Sequence, residues 1–254
     1  MLFFAKILTT NIFFFIWGKF FSKFLLKTDE ISRSEIGIYG TAFVSFFAIL
    51  LNFFLPLNEI LNSLLLILIF MLLFKYKLFS KSDIFFIIIS TFLVCLIIAY
   101  SNINTPDAGL YHLPYTQILN ENKIIIGVNN LHFRFGHISI IQYLSAINFN
   151  IFTGINGILI PLASSVVFVI LYFFEEIYKF IKSNSDLSLN HLFCLFILCF
   201  IAYKINRYSG FGNDAIAHIL LFYLISIFLK TKFDYVDIQK TAIISTFIFL
   251  NKVT

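Results

Sequence analysis

Long apolar runs separated by short polar segments dominate this chain of 254 residues. Several runs approach the roughly 20 apolar residues that an α-helix needs to cross a bilayer. The runs are continuous and do not alternate between apolar and polar positions, which excludes transmembrane β-strands. The pattern therefore predicts an all-α, polytopic transmembrane helical bundle. Its spans, about eight in number, are predicted at 2–18, 36–55, 60–74, 84–100, 155–178, 191–205, 215–229 and 241–254.

The apolar run 138–152 decides the topology. It is shorter than a span and carries Gln142, Ser145 and Asn148, so it is predicted to be an amphipathic or re-entrant helix at the outer surface. In that arrangement, twelve of the 18 lysines and arginines lie in inner loops. If the run crossed, the later lysines would lie outside, against the tendency of Lys and Arg to remain on the cytoplasmic side. The twelve inner-loop lysines and arginines are four in 19–33, three in 75–81, two in 179–182 and three in 230–240.

Composition supports this class. The chain is 60% hydrophobic and only 12% charged, with a mean hydropathy of +0.94, whereas soluble domains are about 25% charged. Its net charge of +5 comes from lysines in short loops and indicates orientation, so no nucleic-acid partner is expected. The three cysteines lie inside apolar runs, where a thiol behaves as a small hydrophobic group. We expect a multi-pass protein of a bacterial-type cell (inner) membrane, surrounded by lipids.

One long polar stretch, 102–137, interrupts the apolar pattern inside the predicted outer loop 101–154. Asp107 follows a span directly. A carboxylate at the membrane surface can act as a general base or a cation ligand. A role as a helix N-cap would explain Asp107 equally well. Tyr111 and His112 follow about one turn later, and Tyr111 would share a helix face with Asp107. These side chains suit the binding of a sugar or phosphate, whereas Tyr111 alone is also an ordinary interfacial anchor.

Two further groups complete the candidates. Arg134, close to His132, has a planar guanidinium that matches phosphate oxygens, with a lipid headgroup as the alternative ligand. The predicted second outer loop carries Arg207 and Asp214, followed by His218 on the face of Asp214. His112, His132 and His137 do not have the spacing of a zinc site, so no metal site is assigned.

This arrangement resembles the membrane glycosyltransferases of the GT-C class. The resemblance rests on Asp107 in the run DAGLYHLPY after an early span, on the long outer loop, and on Asp214 in the run GND of the second outer loop. It covers roughly residues 84–230. Ala108 stands where the class commonly has a second, adjacent acid, and three spans precede the one that corresponds to the first span of the class. The resemblance therefore divides the chain into three N-terminal helices, 1–83, and a GT-C-like core, 84–254. We expect the chain to be an N-terminal portion of a longer protein.

The resemblance implies sugar transfer, with inversion, from a polyprenyl-phosphate donor to an acceptor hydroxyl at the outer face. Asp107 would be the catalytic base, and Tyr111, His112, His132, Arg134, Arg207 and Asp214 would bind substrate. The sequence leaves open whether a divalent cation also binds near Asp214. Two alternatives are a multi-pass transporter and a non-catalytic assembly subunit of the membrane. The concentration of polar residues at one interface, and not at mid-depth, favours the enzyme.

Overall fold

The computed structural model describes residues 1–26, 31–76, 79–101, 106–136, 139–183, 186–208, 210–212, 214–230 and 233–251. These residues form helices and contain no β-strand. The α-helices are α1 (Leu2–Phe21), α2 (Arg33–Phe54), α3 (Glu59–Tyr76), α4 (Lys81–Tyr100), α5 (Leu113–Glu121), α6 (Ile140–Asn148), α7 (Asn156–Ser183), α8 (Leu189–Tyr203), α9 (Asp214–Phe228) and α10 (Tyr235–Asn251).

Four helical segments are long and apolar enough to cross a membrane: Leu2–Leu26, Arg33–Phe54, Lys81–Tyr100 and Asn156–Ser183. The first of these joins α1 to a π-helical turn, Ser22–Leu26. Shorter apolar helices cover Glu59–Met71, Leu189–Tyr203 and Asp214–Phe228. The prediction of an all-α fold built on membrane-compatible helices is confirmed, and the number of spans stays a prediction.

The centre of the bundle is α7. Every residue of α7 from Gly157 to Phe173 is buried, because α2, α4, α6 and α8 surround it. Pro161 lies in the second turn of α7 and has no N–H to offer the carbonyl of Gly157, four residues back. The helices α1 and α2 pack on each other and on α7, so the N-terminal helices contribute to the same core as the later ones.

Two glycines let α1 and α2 approach closely. A Cβ atom at Gly18 would collide with the backbone carbonyl of Ile36, and one at Gly40 would collide with the carbonyl of Phe14. Small residues at such crossings allow backbone contact between helices that lipid cannot drive together by the hydrophobic effect. Around this crossing, Phe21 stacks on Tyr39 with ring centroids 5.6 Å apart.

The helix α6 is the part of 138–152 that forms regular structure. A helix of nine residues rises only about 14 Å, and all nine of its side chains are buried between α2, α5 and α7. The polar side chains that made an amphipathic surface helix plausible are instead bonded internally. Ser145 Oγ donates to the carbonyl of Ile158 (2.9 Å), and Asn148 Nδ2 donates to the carbonyl of Leu144 (2.8 Å).

The bundle has two distinct ends. At the first, which we call the charged end, α2, α4, α8 and α10 begin and α7 finishes. Ser34 Oγ donates to Glu175 Oε2 there (2.5 Å), and Lys240 Nζ pairs with Glu35 Oε1 (2.7 Å). At the second, the site end, Asn52 Nδ2 donates to the carbonyls of Leu119 (3.3 Å) and Asn122 (3.0 Å), which joins the end of α2 to α5.

Candidate functional site

The site begins where the chain leaves α4. Residues Ala108–His112 form a π-helical turn that continues into α5. Pro114 has no N–H to offer the turn before it, and the N–H of Leu113 bonds to the carbonyl of Ala108, five residues back. A π-turn widens the helix and often accompanies a functional site. Here it presents Asp107 and Tyr111 at the site end, while His112 points inwards.

His112 is the buried centre of the site, with 7% of its surface exposed. Its Nδ1 lies 3.5 Å from Gln142 Nε2 of α6. Burial lowers the pKa of His112 to about 4; Asp107 and Asp214 oppose this shift, and the charge of Arg134 adds to it. The imidazole is therefore neutral near pH 7, with one ring nitrogen able to donate and the other to accept a hydrogen bond.

Arg134 covers Tyr111. The guanidinium lies 5.1 Å from the centre of the Tyr111 ring and 5.5 Å from that of Phe133, both within the range of a cation–π contact. Its Nε is buried and has no hydrogen-bond partner in the described part of the protein. A buried donor without a partner costs free energy, so a bound acceptor such as a phosphate oxygen would stabilise this arginine.

The two predicted acids both act on the charge of His112. Asp107 is exposed and precedes the π-turn, but its side chain forms no capping hydrogen bond, which removes the N-cap explanation for it. Asp214 begins α9 and is also exposed. Both carboxylates lie near enough to act on the charge of His112. Burial raises the pKa of Tyr111, Asp107 raises it further, and Arg134 lowers it, so one acid, the tyrosine and the arginine interact directly.

The other predicted residues lie further out. His132 stacks on Phe133 and packs at a tilt against Phe135, with ring centroids 5.0 and 5.4 Å away. Its Nδ1 accepts the backbone N–H of Arg134 (3.3 Å). It therefore holds the backbone of Arg134 in place. Arg207 is exposed in the turn Ile205–Arg207, beside α4, and its side chain forms no hydrogen bond or ion pair within the described residues. His137 lies outside the described residues.

No metal centre is built from the described residues, which contain no group of three His, Cys, Asp or Glu side chains that could hold an ion. Asp107 and Asp214 are both exposed, and His112 is turned inwards towards Gln142. The binding of a divalent cation near Asp214 is not tested by this geometry, and the reaction proposed below does not use one.

The comparison with protein families gives one match. A family model described as Domain of unknown function (DUF8201) matches residues 1–254, the whole chain. The chain belongs to this family. Neither the curated proteins nor the solved structures contain a match to it. A function of this DUF8201 chain can therefore be inferred only from its own residues.

Sequence reasoning about the DUF8201 chain missed the role of Gln142. Its Oε1 accepts the N–H of Ser139 (3.3 Å) in a capping box, and its Nε2 faces His112. The pattern Ser-x-x-Gln before an apolar run is a known helix-start signal. It was present in the sequence and would have placed Gln142 at the first turn of α6. The proximity of that turn to His112 is a tertiary feature.

Proposed function

We propose that this protein is an integral membrane glycosyltransferase of the GT-C kind, which transfers a sugar from a polyprenyl-phosphate donor to an acceptor hydroxyl. The observation that carries the proposal is the convergence of Asp107, Tyr111, His112, Arg134 and Asp214 at one end of the bundle. A carboxylate suits proton removal and an arginine suits phosphate. A sugar linked to a lipid phosphate needs both of these groups at the membrane surface.

The proposal includes a topology. We place the charged end inside a bacterial-type cell membrane and the site end outside, with about eight crossings. Two findings support this orientation. The described residues of the predicted inner loops lie together at the charged end, where Lys19, Arg33 and Lys240 all form ion pairs. A helix of nine residues such as α6 is too short for a hydrocarbon core of about 30 Å, so α7 begins on the side where α4 ends.

In the proposed reaction, Asp107 accepts the proton of the acceptor hydroxyl as the hydroxyl oxygen attacks the anomeric carbon of the donor. The bond between that carbon and the phosphate oxygen breaks, and its electron pair leaves with the polyprenyl phosphate. Attack from the face opposite the leaving group inverts the anomeric centre. Arg134 stabilises the charge that develops on the phosphate, and its unpartnered Nε offers a donor for this purpose.

His112 has a different role from a base. With a pKa of about 4, it is a weak proton acceptor at neutral pH. As a neutral group fixed near Gln142, it can hydrogen-bond a substrate hydroxyl without adding charge between the two acids. Tyr111 fixes Arg134 through its ring and forms the wall of the acceptor site. Asp214 binds a sugar hydroxyl from the opposite side.

The enzyme test compares two acids of the same polar stretch. Asp107→Asn should reduce transfer from a panel of polyprenyl-phosphate sugars by about 10²–10⁴-fold, the usual contribution of a general base. Glu121→Gln is the matched control, because Glu121 is exposed and its Oε1 accepts a hydrogen bond only from Gln117. Its transfer should be unchanged. Full transfer by Asp107→Asn would overturn the proposal.

The topology has its own test. Single cysteines at positions 107, 214 and 181 are labelled from outside, in a variant that lacks Cys95, Cys194 and Cys199. Labelling of 107 and 214, but not of 181, supports a shared outer site. Labelling of 214 only from inside would separate the acids and exclude the glycosyltransferase, and a transporter would then be the better explanation.

A further inference from the structure

A groove of about 630 Å³ lies at the charged end, away from the candidate active site. Its walls are α4 and α7, with Arg33 of α2 at its mouth. The apolar wall contains Phe85 and Phe174, which are 66% and 53% exposed. This size falls within the usual range of ligand-binding cavities.

The mouth of the groove is cationic. Arg33 pairs through Nε with Asp83 Oδ1 (3.3 Å), while its terminal nitrogens form no hydrogen bond with a described residue. Lys81 is exposed and also forms no bond there. The one carboxylate of the lining, Glu175, already accepts a hydrogen bond from Ser34. Two cations with unused donors therefore face one carboxylate.

Asp83 does not cancel these cations. It is buried and receives Lys19 Nζ at 2.5 Å on Oδ2, in addition to Arg33 on Oδ1. Lys19 neutralises this carboxylate, and Arg33 keeps its charge available at the mouth. The result is a positive mouth above an aromatic wall, which is the shape of a lipid with a charged head and an apolar chain.

We propose that this groove is a specific site for an anionic glycerophospholipid of the inner leaflet. The phosphate lies between the terminal nitrogens of Arg33 and the ammonium of Lys81, and an acyl chain runs over Phe85 and Phe174. Charge complementarity selects this occupant, because the cytoplasmic leaflet is rich in anionic lipids and attracts each surface cation. The exposed aromatic side chains offer an apolar surface to an acyl chain, which free phosphate would leave uncovered.

The test is a titration of the purified full-length chain with phosphatidylglycerol, followed by native mass spectrometry of the retained lipid, with phosphatidylcholine as the competing lipid. The wild-type protein should retain phosphatidylglycerol preferentially. Lys81→Gln should weaken its binding about fivefold, and Arg33→Gln/Lys81→Gln about 30-fold. The single variant carries the test if the double variant fails to fold, because Lys81 forms no bond within the described residues.

The matched control is Lys23→Gln/Lys182→Gln. It removes two exposed cations from the charged end that do not line the groove. Binding by this variant should equal that of the wild type. If both double variants lose binding equally, the attraction is a diffuse property of the surface and the proposal is wrong. Absence of a preference for phosphatidylglycerol in the wild-type protein would overturn it as well.

Discussion

The charged end and the site end use the same residue types in opposite ways. Five ion pairs join described residues, and all five lie at the charged end. Glu35 is buried there with Lys240 at 2.7 Å, and the hydroxyl of Tyr223 donates to it (2.9 Å). At the site end, Asp107 and Arg134 form no ion pair with each other, and both act on Tyr111 and on the neutral His112.

Buried, paired carboxylates and exposed carboxylates contribute differently to stability and to ligand binding. A buried carboxylate with a cation and a hydroxyl at hydrogen-bond distance has little capacity left for a ligand, and its loss would affect the fold. An exposed carboxylate beside an arginine with an unused donor contributes little to folding and is available to a substrate. The polar side chains of the charged end therefore stabilise the fold, and we assign those of the site end to function.

The largest expected loss of stability comes from removing the buried ion pair at the charged end. Lys240→Met should destabilise the protein by about 3–5 kcal/mol, because it leaves Glu35 charged, buried and without its cation. Thermal unfolding in detergent measures the change. Lys182→Met is the control for loss of an exposed lysine from the same end.

A double variant sharpens this result. Glu35→Gln/Lys240→Met should be more stable than Lys240→Met alone, since the buried charge is gone and Tyr223 retains an acceptor. If the double variant is the less stable one, the pair does not act as a unit, and the contrast between the two ends weakens.

The second effect lies at the site end and depends on pH. The pKa of His112 is about 4 in the folded protein and about 6.5 when unfolded. Above pH 6.5 both states hold neutral imidazole. As the pH falls from 6.5 towards 4, the unfolded state binds the proton first, so stability should decrease by about 2.5 kcal/mol.

His112→Asn should remove that part of the pH dependence, as measured by thermal unfolding between the two pH values. His218→Asn, at an exposed position of α9, should keep it. An unchanged pH profile in His112→Asn would show that other groups are responsible.

The third effect concerns the scaffold that carries the site. Asn62 Nδ2 lies within hydrogen-bond distance of the carbonyls of Leu57, Ala146 and Phe149, at 2.8, 2.9 and 2.7 Å. Asn62→Ala should cost about 1.5 kcal/mol because it leaves the carbonyl of Phe149 without its donor. The carbonyls of Leu57 and Ala146 keep the hydrogen bonds from Asn120 Nδ2. Asn122→Ala, at an exposed position, should cost less. Equal effects on the melting temperature would refute this role for Asn62 in holding α6 to α3.

The smallest effect on stability should come from the residue with the largest proposed effect on activity. Asp107→Asn removes an exposed carboxylate that forms no capping bond, so unfolding should change by less than about 0.5 kcal/mol. Thermal unfolding of this variant, beside its transfer assay, tests both halves of the comparison. A strongly destabilised Asp107→Asn protein would give this acid a structural role like that of Glu35.

Contacts within one helix could be predicted from the sequence, whereas contacts between distant helices could not. Glu176 and Lys179 are three residues apart in the sequence, and they form an ion pair at 2.6 Å on α7. Such a pair depends only on local helix geometry. The sequence does not predict the hydrogen bond from Ser34 to Glu175 or the ion pair of Glu35 with Lys240, because these join helices that are far apart in the chain.

The sequence by itself determined the all-α class and the membrane-compatible helices, because the length and continuity of an apolar run are local properties. It also predicted that Asp107 and Asp214 belong together, by counting the positive charges of the loops. Tertiary structure alone decided the burial of His112 near Gln142, the complete burial of α6, and the position of Arg134 over Tyr111. These depend on which helices become neighbours, and a polar residue such as Ser145 reads as surface until a distant carbonyl is found to accept its hydrogen bond.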